Sequence, residues 1–369
     1  TASCQENKNE IHRVTVSIED DAFIRLFDFF DKWRWHLDTR ITASGKDINP
    51  DVLGYIFEQY INDRAQMGAY YTKEDITEYI GRNCILPFLF DKVKDKNPDA
   101  FNADGYVWTT LRNSGNRYIF DAVKKGYDRF DDIPENIRRG IITKQMHREY
   151  CETPVGELPE KHIPLATLRA DWNKPTPEPW ALPTEIWRET IERLQRCSDI
   201  ISKIRNGEIY SINDFITYNL DIRLFTADLL AKADRLFIKH FYDALQNITI
   251  LDPTCGSGAF LFAAMNILEP LYEECITRMQ EEPTYFKKQL SEISDKYRSN
   301  IQYFIFKSII LRNLYGVDIM AEATEIAKLR LFLKMVAVVD VDRRRPNLGL
   351  DPLPDIDFNI RCGNTLVGY

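Results

Sequence analysis

Two glycines one residue apart, Gly256 and Gly258, follow Asp252 and Pro253 at the end of a short apolar run over residues 248–251. Glycine has no Cβ, so such a pair lets the backbone turn tightly and approach a ligand closely. Thr254, Cys255 and Ser257 fill the turn, and Ala259 opens an apolar stretch of helical character. A helix beginning there points its first N–H groups, which have no partner within the helix, at whatever the turn holds. Asp318 closes a second short apolar run, residues 313–319, where a carboxylate can accept hydrogen bonds from a ribose diol. Asn364 follows a third run, residues 357–362. These groups can hold a nucleotide-like ligand.

The elements that must position them read as follows. Residues 248–251 are apolar and partly β-branched, which suits a strand buried on both faces of a parallel sheet. A helix is expected over 258–271, a helical insertion over 273–311, and an amphipathic helix over 321–338 with Ile326, Leu329, Leu333 and Val336 on its apolar face. Three strand ends then carry polar groups on one edge, as in the ligand crevice of an open α/β sheet. The turn departs from two familiar phosphate-binding patterns. No Gly-Lys-Ser/Thr follows it, and the third glycine of a dinucleotide fingerprint is replaced by Leu261, with no acid about 20 residues on.

Upstream, Gly68, Ala69, Tyr70, Tyr71 and Thr72 precede a helix expected to begin near Lys73, with Thr72 and Asp75 resembling a capping box. Adjacent tyrosines before a helix N-terminus can face a small ligand, although local pattern alone favours core packing for them. Phe23, Leu26, Phe27 and Phe30 repeat at helical spacing and are expected to pack in a core, as are Leu53, Ile56, Phe57 and Tyr60. Over 95–245 the sequence mixes aromatic and basic residues, among them Trp108, Arg112, Arg117, Tyr118, Lys124, Lys125, Tyr127, Arg129, Arg138 and Arg139. Stacking and phosphate contact would suit nucleic acid. The interleaved acids Asp121, Asp128, Asp131, Asp132 and Glu135 favour an ordinary solvated helical face. Prolines 164, 175, 177, 179 and 183 punctuate the region. One helix is expected from 184 to 205, ended by Asn206 and Gly207, and another from 219 to 245 with Leu224, Ala227, Leu230, Ala231 and Leu236 buried.

Composition bounds the rest. With 44% hydrophobic residues in 369, the chain can bury a sizeable core. Its 56 acidic against 48 basic residues, a net charge of -8, give no bulk attraction for polyphosphate, so any nucleic-acid contact must be local. The seven cysteines form no CxxC pair, which argues against a zinc site or a disulfide framework, and no metal site is expected. Neither a leader nor an apolar run of about 18 residues is present, so a cytoplasmic protein without membrane contact is expected.

Four of these stretches resemble the motifs of N6-adenine-specific DNA methyltransferases, in particular the Eco57I-like and phage-defence (BREX, PglX-type) enzymes. Asp252 to Leu261 looks like motif I, the S-adenosyl-L-methionine loop, and Gly68-Ala69-Tyr70-Tyr71-Thr72 looks like motif X, which lines the methionine end of that cofactor. Gly316-Val317-Asp318-Ile319 resembles motif II, implying that Asp318 holds the ribose hydroxyls with Ile319 beside it. Cys362-Gly363-Asn364-Thr365-Leu366 resembles motif III, implying that Asn364 lies near the adenine. The resemblance covers the chain from about residue 51 and implies a partial Rossmann-like class I methyltransferase sheet. It divides the chain into an N-terminal helical region (1–94), a helical insertion (95–245) and a partial S-adenosyl-L-methionine-binding α/β domain (246–369). The family's catalytic tetrad, Asn/Asp-Pro-Pro-Tyr/Phe, does not occur here; Asp351-Pro352-Leu353-Pro354 lacks the adjacent prolines and the aromatic. The expectation is therefore the amino-terminal portion of a longer restriction-modification or phage-defence enzyme, with no catalytic residue of its own. Its partners would be double-stranded DNA in the intact enzyme and a remaining C-terminal half or partner subunits. A catalytically silent, methyltransferase-like scaffold is the alternative.

Overall fold

A computed structural model describes residues 19–32, 34–35, 47–48, 54–57, 72–134, 172–297, 300–339 and 354–367. In chain order its main elements are helices α1 (Asp20–Lys32), α2 (Glu74–Lys96), α3 (Tyr106–Arg112), α4 (Trp187–Asn206), α5 (Ile222–Lys232) and α6 (Arg235–Asn247). Strand β1 (Ile250–Asp252) and helices α7 (Ala259–Glu281), α8 (Lys287–Lys296) and α9 (Ile301–Ser308) follow. Next come a π-turn (Ile309–Asn313), strand β2 (Leu314–Asp318), helix α10 (Ala321–Val336) and strand β3 (Ile360–Cys362).

The three strands form a parallel sheet in the order β1-β2-β3. Asp252 pairs with Gly316, and Asp318 with Cys362, so all three strands end at one edge. This is a mainly helical chain with a small parallel sheet, compatible with a partial α/β architecture.

Helix α7 is the centre of the core. Its apolar residues continue at helical spacing past Pro270 through Leu271, Tyr272, Cys275, Ile276 and Met279, all buried, so it runs to Glu281 where the sequence suggested 271. It packs on α2, α5 and α6. The approach to α2 is close enough that a Cβ on Gly81 would stand 2.9 Å from Ile267 Cδ1. Rings from four elements interlock beside it: Phe90 meets Phe241 edge-on at 6.0 Å, and Phe215 lies 4.6 Å from Phe225. Each such burial contributes about 1.5–3 kcal/mol. One buried apolar cluster extends from Ile85 to Ile360.

Two buried asparagines tie the sheet to this core. Asn313, at the end of the π-turn, donates through Nδ2 to Leu245 O (2.8 Å) and Ile248 O (2.7 Å), and the Tyr272 hydroxyl lies 3.1 Å from its Oδ1. Asn359 donates to Ile310 O and Leu311 O in the π-turn (both 3.2 Å), carbonyls at a helical end, and to Leu314 O at the entry to β2 (3.0 Å).

Several expectations change. The helix expected over 219–245 is broken, because Asp221 and Asp234 each cap a new start by accepting the backbone N–H of Leu224 and Phe237. Of the five residues expected on its buried face only Leu230 is buried; Phe225, Leu229, Phe237 and Phe241 fill the core instead. Helix α1 forms, but Phe23 and Phe27 on its apolar face are exposed, and Ile56 is exposed too. Leu53 and Tyr60 lie outside the described residues. Helix α2 does start after Lys73, yet no side chain caps it, so the capping box of Thr72 and Asp75 is not made. Helix α10 is rotated relative to the expected stripe: Leu329 and Val336 are exposed, while Ala323, Ala327, Leu331 and Met335 are buried together with Arg330 and Lys334. The reason is steric, since a Cβ on Gly258 would stand 3.1 Å from Ala327 Cβ, and only a small-residue face fits against the glycine turn. Helix α4 ends as expected, with Gly207 left-handed at φ 72°.

In the aromatic and basic region several of the described cations pair with acids and two of the aromatics are buried. Trp108 and Tyr118 are buried, and Arg112, Arg117, Lys124 and Arg129 pair with Asp104, Asp228, Asp121 and Asp132. Arg138 and Arg139 lie outside the described residues. No helix among the described residues is long and apolar enough to cross a membrane.

Candidate functional site

The turn joining β1 to α7 is held peptide by peptide. Asp252 Oδ1 accepts the Thr254 N–H at 3.1 Å. Cys255 N donates to Val317 O on the neighbouring strand (2.9 Å), and Gly258 N donates back to Cys255 O (2.7 Å). Gly256 and Gly258 take φ of 51° and 87°, the left-handed region that a side chain rarely tolerates. Gly258 is the N-cap of α7 and supplies no side-chain cap, so the first N–H groups of a 23-residue helix open onto the turn. An anionic or electron-rich ligand group there would meet the positive end of the helix dipole.

Asp318 completes the turn from β2. Its Oδ2 accepts the Gly256 N–H at 2.8 Å and its Oδ1 accepts the Met320 N–H at 2.9 Å, while its own carbonyl takes the Gly363 N–H at 2.8 Å. The parallel pairing that sets Asp252 beside Gly316 and Asp318 beside Cys362 therefore brings Asp252, Gly256, Asp318 and Gly363 to one edge. Asp318 is half-buried, and each carboxylate oxygen retains a lone pair after its backbone bond. Ile319, next in the chain, is exposed.

Packing under the turn leaves no spare room. A Cβ on Gly316 would stand 2.9 Å from Leu261 Cδ1 and 3.0 Å from Cys255 Sγ. Burial raises the Cys255 thiol pKa to about 12, with the charges of Asp252 and Asp318 adding to it, so this cysteine is a neutral packing group. Burial also raises Asp252 above the ordinary carboxylate range; the Thr254 N–H pulls it back, and the Asp318 charge pushes it further up. The neighbouring carboxylates of Asp252 and Asp318 concentrate negative charge at this edge.

The remaining expected residues divide. Thr72 lies with Ala259, Phe262, Asn266 and Arg330 around a small cleft between the starts of α2 and α7, so the last residue of the upstream stretch lies beside the start of α7. Gly68, Ala69, Tyr70 and Tyr71 lie outside the described residues. Pro253 O accepts the Thr365 hydroxyl at 2.7 Å, which joins the segment after β3 to the turn. Asn364 is exposed and turns its Oδ1 on the N–H groups of Leu366 and Val367 (3.0 and 3.3 Å), fixing the local loop.

Three residues absent from the sequence reading matter here. Arg330 is 1% exposed and donates to Ser257 from beneath the turn. Its signal was a lone cation inside the apolar run Leu329-Arg330-Leu331-Phe332-Leu333. Asn313 and Asn359 carry no sequence signal beyond a polar residue beside a strand.

A parallel strand, a left-handed glycine turn, an uncapped helix start and a carboxylate on the adjacent strand thus meet at one edge of the sheet. Residues 229–367 match the model of the MmeI DNA-methyltransferase domain, a stretch that runs from α5 past β3 and contains the turn, Asp318 and Asn364. Over 98% of its length the chain is 25% identical to a protein of Methanocaldococcus jannaschii named "Putative type II restriction enzyme and methyltransferase". The chain spans 20% of that relative. Together the two similarities support a methyltransferase domain of restriction-modification type. No solved structure matches the chain.

Proposed function

We propose that this chain is the S-adenosyl-L-methionine-binding part of a site-specific DNA (adenine-N6) methyltransferase, acting in the cytoplasm in a restriction-modification or phage-defence system. The observation that carries the reading is the Asp318 carboxylate clasping the Gly256 N–H across adjacent parallel strands, at the open start of α7. In this reading Asp318 uses its remaining lone pairs for the ribose hydroxyls. Asp252 and Asp318 supply the negative surroundings that a sulfonium cation needs, and the backbone from Pro253 to Ala259 forms the cradle. Ile319 and Asn364 face the adenine end, and Gly68 to Thr72 face the methionine end; the position of Thr72 beside Ala259 supports that last assignment.

The cofactor supplies an activated methyl group, and this chain's part is to bind and orient it beside an adenine flipped out of double-stranded DNA. The tetrad that would hold the target amine is expected in a C-terminal half or a partner subunit. The division into an N-terminal helical region (1–94), a helical insertion (95–245) and a partial Rossmann-like domain (246–369) belongs to the same proposal.

Titration calorimetry with S-adenosyl-L-methionine tests it. The parent chain should bind, and Gly256→Val and Asp318→Ala should each abolish or strongly weaken binding. Equal binding by both variants would refute the site.

A further inference from the structure

We propose that Arg330 is a positioning residue: its buried guanidinium holds the Ser257 peptide, and through it the whole glycine turn, in the conformation that receives the ligand. The effect on ligand affinity rests on the turn being the cofactor site, whereas the effect on the turn itself does not.

Ser257 sits between two left-handed glycines, Gly256 and Gly258. Glycine crosses between φ signs at little cost, so the peptide between Ser257 and Gly258, whose flip turns on the φ of Gly258, reorients readily unless something holds it. The neighbouring peptides are tied to the sheet through Val317 O and the Asp318 carboxylate, and to each other through Cys255 O. The Ser257 carbonyl is tied instead to Arg330 Nη1, at 2.7 Å, with the Ser257 hydroxyl oxygen 3.2 Å from the same nitrogen. A flip of the peptide between Ser257 and Gly258 would break both the Arg330 bond and the Gly258 N–H bond to Cys255 O.

The guanidinium is itself fixed. Its Cζ lies 4.7 Å from the centroid of the Phe262 ring, on the first turn of α7, a geometry in which a planar cation is attracted to the ring face. Gly54, in the 54–57 helical stretch, packs against both Arg330 and Ser257. A Cβ on Gly54 would stand 2.4 Å from Arg330 Nη1 and 2.9 Å from Ser257 Oγ. Arg330 thus joins α10, the start of α7, the glycine turn and the 54–57 stretch at one buried point. Placing a guanidinium there is costly unless its donors are used, and a core-filling role would be served as well by methionine or leucine.

The test is amide hydrogen exchange across residues 252–262 of the full chain, combined with S-adenosyl-L-methionine titration. The variants are Arg330→Met, Arg330→Lys and a control, Leu331→Ala, which opens the core on the same helix without touching Ser257. Arg330→Met should speed exchange in the turn about tenfold beyond Leu331→Ala and raise the cofactor Kd about tenfold, as expected for losing one charge-assisted hydrogen bond. Arg330→Lys keeps the charge but not the planar fork, and should fall between parent and Arg330→Met. If Arg330→Met does not fold, Arg330→Lys and Gly54→Ala, which displaces the guanidinium without removing it, carry the same comparison. Exchange in the turn no faster than in Leu331→Ala would overturn the proposal. Altered exchange in a protein that never binds the cofactor would sustain the positioning role and count against the cofactor reading.

Discussion

Replacing Asp318 by asparagine changes one atom and tests the geometry of the turn directly. The carboxylate accepts two backbone N–H groups at once, from Gly256 at 2.8 Å and from Met320 at 2.9 Å. An asparagine has a single side-chain acceptor, and its NH₂ would face whichever of the two N–H groups is left, donor against donor. One charge-assisted hydrogen bond is lost, worth about 1.5–3 kcal/mol. Asp318 is half-buried, so water recovers part of this and the lower portion of the range applies, about 1.5–2 kcal/mol. If the ligand binds only the closed turn, that cost passes into affinity at tenfold per 1.4 kcal/mol, giving a Kd about 10- to 30-fold higher. The assay is calorimetry with S-adenosyl-L-methionine, beside amide exchange at Gly256 and Met320, one of which should lose protection. Binding within twofold of the parent, with both amides still protected, would refute the argument that this carboxylate closes the turn.

Three further outcomes follow from the packing. Gly316→Ala places a methyl among Leu261 and Cys255, so it should lower stability by about 1–3 kcal/mol in denaturant melts, and Cys255→Ala, which removes the Sγ at 3.0 Å, should restore part of the loss. Asn313→Ala strips its partner from Ile248 O, while Leu245 O keeps the Tyr272 hydroxyl at 2.9 Å, and in a site with no solvent access it should cost about 1–3 kcal/mol, read as a lower denaturant midpoint at unchanged slope. The folded pKa of Asp252 is raised above 3.8, so the neutral form is favoured by folding; the stability this gives is present below 3.8 and lost as pH rises through the folded pKa. Asp252→Asn, which keeps an acceptor for Thr254, should therefore melt higher than the parent at pH 7 and lose that advantage toward pH 3.5, and an advantage independent of pH would count against burial as the cause.

The parts of the site that the sequence made legible are those in which backbone needs dictate residue type. Two glycines after an apolar run imply a left-handed turn, and Gly256 and Gly258 are both left-handed. Short β-branched runs ended by an acid imply strands, and Asp318 closes β2 as expected. Helix faces were read less well because apolar periodicity cannot see what a face must fit against. In α10 the glycine turn demands small residues, so Ala323 and Ala327 turn inward and carry Arg330 with them, while Leu329 is left exposed. The break between α5 and α6 was in principle readable, since Asp234 stands three residues before Phe237, whose N–H it caps. Asn313 and Asn359 were not, because their partners are main-chain carbonyls, which no side-chain pattern records.

Those two asparagines also bear on how the chain tolerates length changes. Side chains alternate across a strand, so a slip of one residue in β2 would send the Asp318 carboxylate to the opposite face, away from Gly256. Asn313 reads carbonyls just before β1, and Asn359 reads those at the entry to β2, so both strand entries are keyed to one frame. A single inserted residue between Asn313 and Asp318 should then be more damaging than most substitutions within the turn, because it would leave every residue of the site present and dephase them.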